Sequence, residues 1–368
     1  MQAAPRQLNL GLVLTVIVLA FAEFVTFKFS ATLFARFHTG WTFYLPADLE
    51  CIVAHSALTL GLTHTLPAGM ESFLYPPPIL LLGAPLNFIS ANIAYSLWSA
   101  LGIALFCLAG WRLKLHPLLI LGAVLLPPSI YCLLLGQTGL ILSALFILAL
   151  HWARRRPVLS GIITGFMILK PPAALLLPIC YAAAGKRSAI IAATISVLSI
   201  CALTLLVFGV TPWVYFFKMS LPEGRHILQA PWHHDYQNIM VSPFILLRSL
   251  GGGLQWAYVI QGAITLLACG LTWRLWRTPQ EPGDDVMLIT ACLTALASPY
   301  NYFYDLPAIG LLLLATWPGR GWKLAAALCF MLGVACYVFI SVKFLPIGAL
   351  LTAGVCLAFW PGRRALIR

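Results

Sequence analysis

Residues 154–187 read RRRPVLSGIITGFMILKPPAALLLPICYAAAGKR. An apolar run, 157–183, is bounded by Arg154-Arg155-Arg156 on one side and Lys186/Arg187 on the other. Cytoplasmic loops of membrane proteins carry an excess of Lys and Arg, so both ends belong on the inner face. The run is broken in its middle by Lys170-Pro171-Pro172. It is therefore expected to dip into the bilayer and return as two half-helices. Proline in a membrane helix is tolerated where the freed backbone groups line a protein-covered cavity. A lysine at such a break costs about 2.5–3.5 kcal/mol on insertion scales unless it is paired or hydrated.

The rest of the chain agrees with this reading. It is 61% hydrophobic and 9% charged, with mean hydropathy +0.94, where soluble domains average about 25% charged residues. Repeated apolar runs of about 18 residues or more read as membrane helices. The expectation is an all-α, polytopic bundle of about ten transmembrane helices, forming one domain over 1–368. The run Leu8 to Phe27 has no small-residue cleavage site after it and reads as a retained helix. The net charge of +12 gives no reason to expect nucleic acid, because the positives sit at helix ends. Of ten cysteines, only Cys51 lies in a long loop. No CxxC pair is present, so neither a disulfide framework nor a structural zinc site is expected.

Arg6, Arg112/Lys114, Arg274/Arg277, Arg320/Lys323 and Arg363/Arg364/Arg368 join the two clusters above on the inner face. Helices are expected over 8–28, 91–110, 117–134, 138–152, 188–210, 254–273 and 286–300, with three further passages to an inner C-terminus. Residues 29–90 and 211–238 become outer loops. The first contains an interfacial or re-entrant helix after Tyr75-Pro76-Pro77-Pro78, and 239–250 is a second interfacial helix. Of ten acidic residues, Glu281, Asp284 and Asp285 fall inside. Glu23, Asp48, Glu50, Glu71, Glu223, Asp235 and Asp305 fall on or near the outer face. A carboxylate near lipid is a functional candidate.

The polar residues converge on that face. Asp48 and Glu50 lie in the first outer loop, and Gln137, His233, His234, Asp235, Tyr304 and Asp305 at outer helix ends. Each has a plainer reading. Pro46-Ala47-Asp48 before an apolar run is also a helix-cap signature. Lys170 could pair structurally with a carboxylate such as Asp305. Tyr300, Tyr302 and Tyr304 could be an interfacial aromatic belt. Adjacent histidines do not face one way, so no metal site is expected at His233-His234-Asp235.

Five short segments stand in a recognisable order. They are Tyr75-Pro76-Pro77, Leu134-Leu135-Gly136-Gln137-Thr138-Gly139, Ser160-Gly161, Leu169-Lys170-Pro171, and Ser298-Pro299 followed by Tyr304-Asp305. Together they resemble glycosyltransferase family 87, over roughly residues 40 to 310. The resemblance implies a GT-C-like membrane enzyme, an α-mannosyltransferase-like protein that takes a hexose from a polyprenyl-phosphate donor on the outer face. The acceptor would be a lipid or glycan, the anomeric centre would invert, and neither cofactor nor metal would be needed. Asp48 fits the place of the family's catalytic aspartate, with Glu50 as the fallback. Lys170, with His233, His234 and Gln137, would hold the donor phosphate. Tyr75, Asp235, Tyr304 and Asp305 would contact substrate. The implied location is a bacterial inner or plasma membrane, with the active site extracytoplasmic. Two other classes remain open: a transporter or flippase for a polyprenyl-linked or anionic substrate, and a non-catalytic scaffold of the envelope. A transporter wants ionisable groups near the midplane, whereas here they gather on one side.

Overall fold

The computed structural model describes residues 47–67, 73–232, 235–316 and 348–360. The expected first crossing, Glu23, Glu71, His233 and His234 lie outside the described residues. So do the segment 317–347 and the basic C-terminal end.

The described residues are helical, with one isolated antiparallel bridge between Met240 and Tyr302. In chain order, α1 is Ala47–Thr59, α2 Pro77–Phe88, α3 Ala91–Arg112, α4 Pro117–Val124 and α5 Pro127–Leu135. Then come α6 Gly139–Trp152, α7 Pro157–Leu169, α8 Pro171–Ala183 and α9 Arg187–Phe208. Next are α10 Thr211–Tyr215, a π-helical turn Phe216–Ser220, α11 Leu221–Gln229 and α12 Pro243–Ser249. The last are α13 Leu254–Trp276, α14 Asp284–Ala297, α15 Pro307–Ala315 and α16 Gly348–Phe359. Three of these, α3, α9 and α13, are long and apolar enough to cross a membrane. The bent pair α4–α5 makes up to four. Shorter apolar helices, among them α6, α7 and α8, pack between them.

Two expectations need correction. Residues 117–134 are not one straight helix: α4 and α5 meet at 57°. Leu126 precedes Pro127-Pro128 and sits at φ −66°, ψ 148°. A residue before proline is pushed out of the helical region by the ring, and that is the cause of the bend. The segment 211–238 is largely helical rather than a loop. Pro212 stands in the first turn of α10, where its missing N–H costs nothing.

The packing follows from residue size. α6, α14 and α15 are buried along almost their whole length, while α9 buries only Ala189, Thr204 and Phe208 and leaves its other side chains exposed or half-buried, as a lipid-facing helix would. α7 lies close against α9 through Gly161 and Gly165. A Cβ on Gly161 would stand 2.2 Å from the Ala189 carbonyl oxygen, and one on Gly165 2.2 Å from Ser196 Oγ. Small residues one turn apart let membrane helices approach in this way.

Arg112, Arg154 and Arg155 mark one end of the bundle. The Arg112 guanidinium lies 5.5 Å from the Trp152 ring. Arg154 donates to the Trp276 carbonyl at 2.5 Å and also to that of Thr278. Arg155 pairs with Glu281 across 3.5 Å, an exposed contact that adds little. α6 runs from the polar turn at Gln137 to this basic end, and α7 runs from it to Lys170. Gln137 and Lys170 therefore sit together at the opposite end.

Candidate active site

The Gly136-Gln137-Thr138-Gly139 turn explains itself in the structure. Gly136 ends α5 at φ 66°, in the left-handed region that glycine enters without strain. The Gln137 N–H then returns to the Cys132 carbonyl at 2.9 Å. Gly139 starts α6 directly beneath another strand of backbone: a Cβ there would lie 1.9 Å from the Tyr304 carbonyl oxygen. The two glycines thus present Gln137 and bring Tyr304 alongside it.

Asp48 is the second residue of α1, inside the helix rather than its cap. Its carboxylate has the Gln137 side chain as a hydrogen-bond partner. The Tyr75 hydroxyl donates to Gln137 Oε1 at 2.5 Å, which turns the Gln137 amide nitrogen towards Asp48. Burial pushes the Asp48 carboxyl up from 3.8 to about 6, against the pull of Gln137 and the Lys170 charge. Of the other titratable groups beside it, Cys51 is pushed up to about 12 by burial and then by Asp48 and Glu50. Burial also holds Tyr75 well above its usual range. Glu50 lies two residues further along the helix, and does not line the cavity described below.

Lys170 closes α7, at φ −152° and ψ 82°. Its ammonium donates to both Asp305 oxygens, each at 2.6 Å, and lies 5.0 Å from the Tyr302 ring centre and 4.7 Å from that of Tyr304. The two rings stack at 5.2 Å with 4° between planes. Asp305 also accepts from the Tyr302 N–H at 3.0 Å. The lysine–carboxylate pair admitted as the plainer reading of the sequence is therefore formed. It holds the α7–α8 break against the turn before α15.

These groups face a cavity of about 430 Å³, within the roughly 300–1,000 Å³ common for small-molecule sites. Asp48, Tyr75, Gln137, Lys170 and Tyr304 line it, as do Tyr300 and Tyr302. Asp305 stands behind Lys170, on a second, smaller cavity. His233 and His234 are outside the described residues. Asp235 begins a 3-10 turn, Asp235–Ile239. Sequence reasoning missed Cys51, Phe216, Ser220, Gly224 and the part played by Tyr236, which also line the cavity. Only the amphipathic spacing of 221–229 could have signalled that wall.

The sequence model of glycosyltransferase family 87 matches residues 73–299, a span that holds Tyr75, Gln137 and Lys170 and leaves Asp48, Tyr302, Tyr304 and Asp305 outside it. No curated protein and no solved structure matches the chain. With more than half of its length matched, the chain belongs to glycosyltransferase family 87 and is a membrane glycosyltransferase.

Proposed function

We propose that the enzyme transfers a hexose, mannose as the family resemblance implies, from a polyprenyl-phosphate donor to a hydroxyl of a lipid or glycan acceptor, with inversion. The reading takes the whole chain, 1–368, as one GT-C-like domain of about ten crossings, and the cavity as opening on the extracytoplasmic face. The positive-inside pattern supports that orientation, since the basic ends of α3, α6 and α13 gather away from the cavity.

The acceptor oxygen attacks the anomeric carbon as the bond from that carbon to the phosphate oxygen breaks. The electron pair leaves with the phosphate, and the hydroxyl proton passes to Asp48. The observation that carries this assignment is the Asp48 carboxylate in the cavity wall, oriented by Gln137, with its pKa raised to about 6. A general base works best when its pKa lies near the operating pH. At pH 7 such a carboxyl is mostly ionised yet more basic than an exposed aspartate. Lys170 has three donors. Two go to Asp305, and the third is free to meet the leaving oxygen. The Tyr300, Tyr302 and Tyr304 side chains offer ring faces and hydroxyls for the sugar.

The test is incubation of the purified protein with radiolabelled polyprenyl-phosphate mannose and native lipid extract. A new labelled glycolipid or glycan supports the reading. Label that stays on the donor, and instead crosses the bilayer of proteoliposomes, would favour the transporter reading.

A further inference from the structure

Three side chains set the charge of the cavity. Asp48 and Lys170 are the charged residues in its lining, and Asp305 accepts two hydrogen bonds from Lys170 and offsets its charge from behind. One cation against two carboxylates leaves the interior with no positive charge to spare. A phosphate leaving group needs one, because charge developing on the departing oxygen is stabilised by cations or donors already in place.

Part of the wall is the π-helical turn and the start of α11, which contribute Phe216, Ser220, Leu221 and Gly224. π-helical turns inside helices occur often at functional sites. Ser220 is 4% exposed, and its hydroxyl has no hydrogen-bond partner. Buried hydroxyls are nearly always satisfied, so an orphan calls for an explanation. Arg225 is the next residue along the chain from Gly224, which lines the cavity. It is exposed and makes no salt bridge among the described residues. Gly224 sits against the Tyr300 ring: a Cβ there would be 3.9 Å from it. Arg225 is also near enough to Tyr300 that its charge opposes the burial raising that hydroxyl. Two turns back, Lys218 is exposed as well, between the exposed apolar side chains Phe217 and Met219. Glu223, two residues before Arg225, projects from another side of α11.

Resting on the glycosyl-transfer reading, we infer that the π-turn and α11 form the donor's phosphate subsite, with Arg225 supplying the positive charge and Ser220 a hydroxyl donor. Lys170 is then a neutralised anchor that gives one hydrogen bond. The apolar side chains Val214, Phe217 and Leu221, all exposed, lie beside the prenyl chain where it leaves the bilayer. Arginine suits this role because its fork of donors matches phosphate oxygens in pairs.

The test measures binding of farnesyl monophosphate to the purified full-length protein in neutral detergent, with farnesol as the uncharged control. Arg225→Ala should weaken farnesyl monophosphate at least tenfold and leave farnesol within twofold. Arg225→Lys should recover part of the loss, Ser220→Ala should cost about threefold to tenfold, in line with one hydrogen bond, and Lys218→Ala should cost less than threefold. Arg225 is exposed, so its variants keep the fold, and their thermal melting should match that of the parent. Undiminished binding by Arg225→Ala, or an equal loss for farnesol, overturns the assignment while leaving glycosyl transfer standing. Failure of the parent protein to bind farnesyl monophosphate at all overturns both. Displacement of farnesyl monophosphate by equimolar phosphatidylglycerol would make the site one for bilayer headgroups, and that too overturns the donor assignment.

Discussion

Tyr75 and Gln137, 62 positions apart, share a hydrogen bond of 2.5 Å in which the tyrosine hydroxyl donates to Oε1. The bond decides which end of the Gln137 amide faces Asp48. With Oε1 held by Tyr75, the donor nitrogen is presented to the carboxylate, and donation to a carboxylate favours its ionised form. Tyr75→Phe should release the amide. The acid limb of the pH–rate profile, set by Asp48 near 6, should then move to higher pH. Gln137→Leu should move it further in the same direction. A tyrosine that only fills space would leave the limb in place.

The same carboxyl makes a stability prediction. The folded-state pKa of Asp48 is raised, from 3.8 to about 6, chiefly by burial. The folded state therefore binds this proton more tightly than the unfolded chain does. Stability attached to the group is greatest below about 4 and is lost as pH rises towards 6. Asp48→Asn removes the buried charge. It should melt with the parent near pH 4 and be more stable by about 1–3 kcal/mol at pH 7. A variant less stable than the parent at pH 7 would show that the charge is held by favourable contacts.

Gly139 offers a steric test. A Cβ there would stand 1.9 Å from the Tyr304 carbonyl oxygen, and backbone cannot swing aside as a flexible side chain can. Gly139→Ala should destabilise by about 1–3 kcal/mol and reduce transfer, because it separates the Gln137 turn from Tyr304. Gly262→Ala, in α13 with nothing within 4 Å, should be neutral or slightly stabilising, since alanine is the better helix former. Thermal melting of the two variants side by side decides the point.

The pair Lys170–Asp305 is mostly buried, its side chains 13% and 8% exposed. Removing one member of such a pair typically costs about 3–5 kcal/mol, because the other is left uncompensated. Lys170→Met and Asp305→Leu should each be strongly destabilising, and the double variant should recover much of the loss. Additive losses in the double-mutant cycle would mean that the two side chains act independently.

What could be read from the sequence was whatever is encoded locally. The spans Ala91–Arg112, Arg187–Phe208 and Leu254–Trp276 each show as an apolar run with a basic end, and the break at Lys170 shows as a lysine followed by two prolines. The 57° bend before Pro127 was less legible, because prolines in membrane helices are often accommodated without breaking the run. The cavity wall at Phe216–Gln229 read as loop, since its amphipathic stretch, 221–229, is short and too polar to show as an apolar run. The pairing of Lys170 with Asp305 was visible only as an option. Which carboxylate meets a lysine 135 positions away is decided by how α7 and α15 each pack on α6, and no local pattern records that. The same holds for Gln137, which the sequence suggested as a phosphate contact and which the fold directs to Asp48 and Tyr75.

The account turns on Asp48 as the base. Its most direct test is the turnover of Asp48→Asn with polyprenyl-phosphate mannose and native acceptor lipid, beside Glu50→Gln. Asparagine keeps the shape and can still bond Gln137, but cannot take a proton at neutral pH, and general-base assistance is worth about 10²–10⁴ in rate. The predicted result is a fall of about a hundredfold or more for Asp48→Asn with donor binding intact, and a much smaller change for Glu50→Gln. Near-normal turnover by Asp48→Asn would contradict the account, and a dead Glu50→Gln beside it would move the base to Glu50.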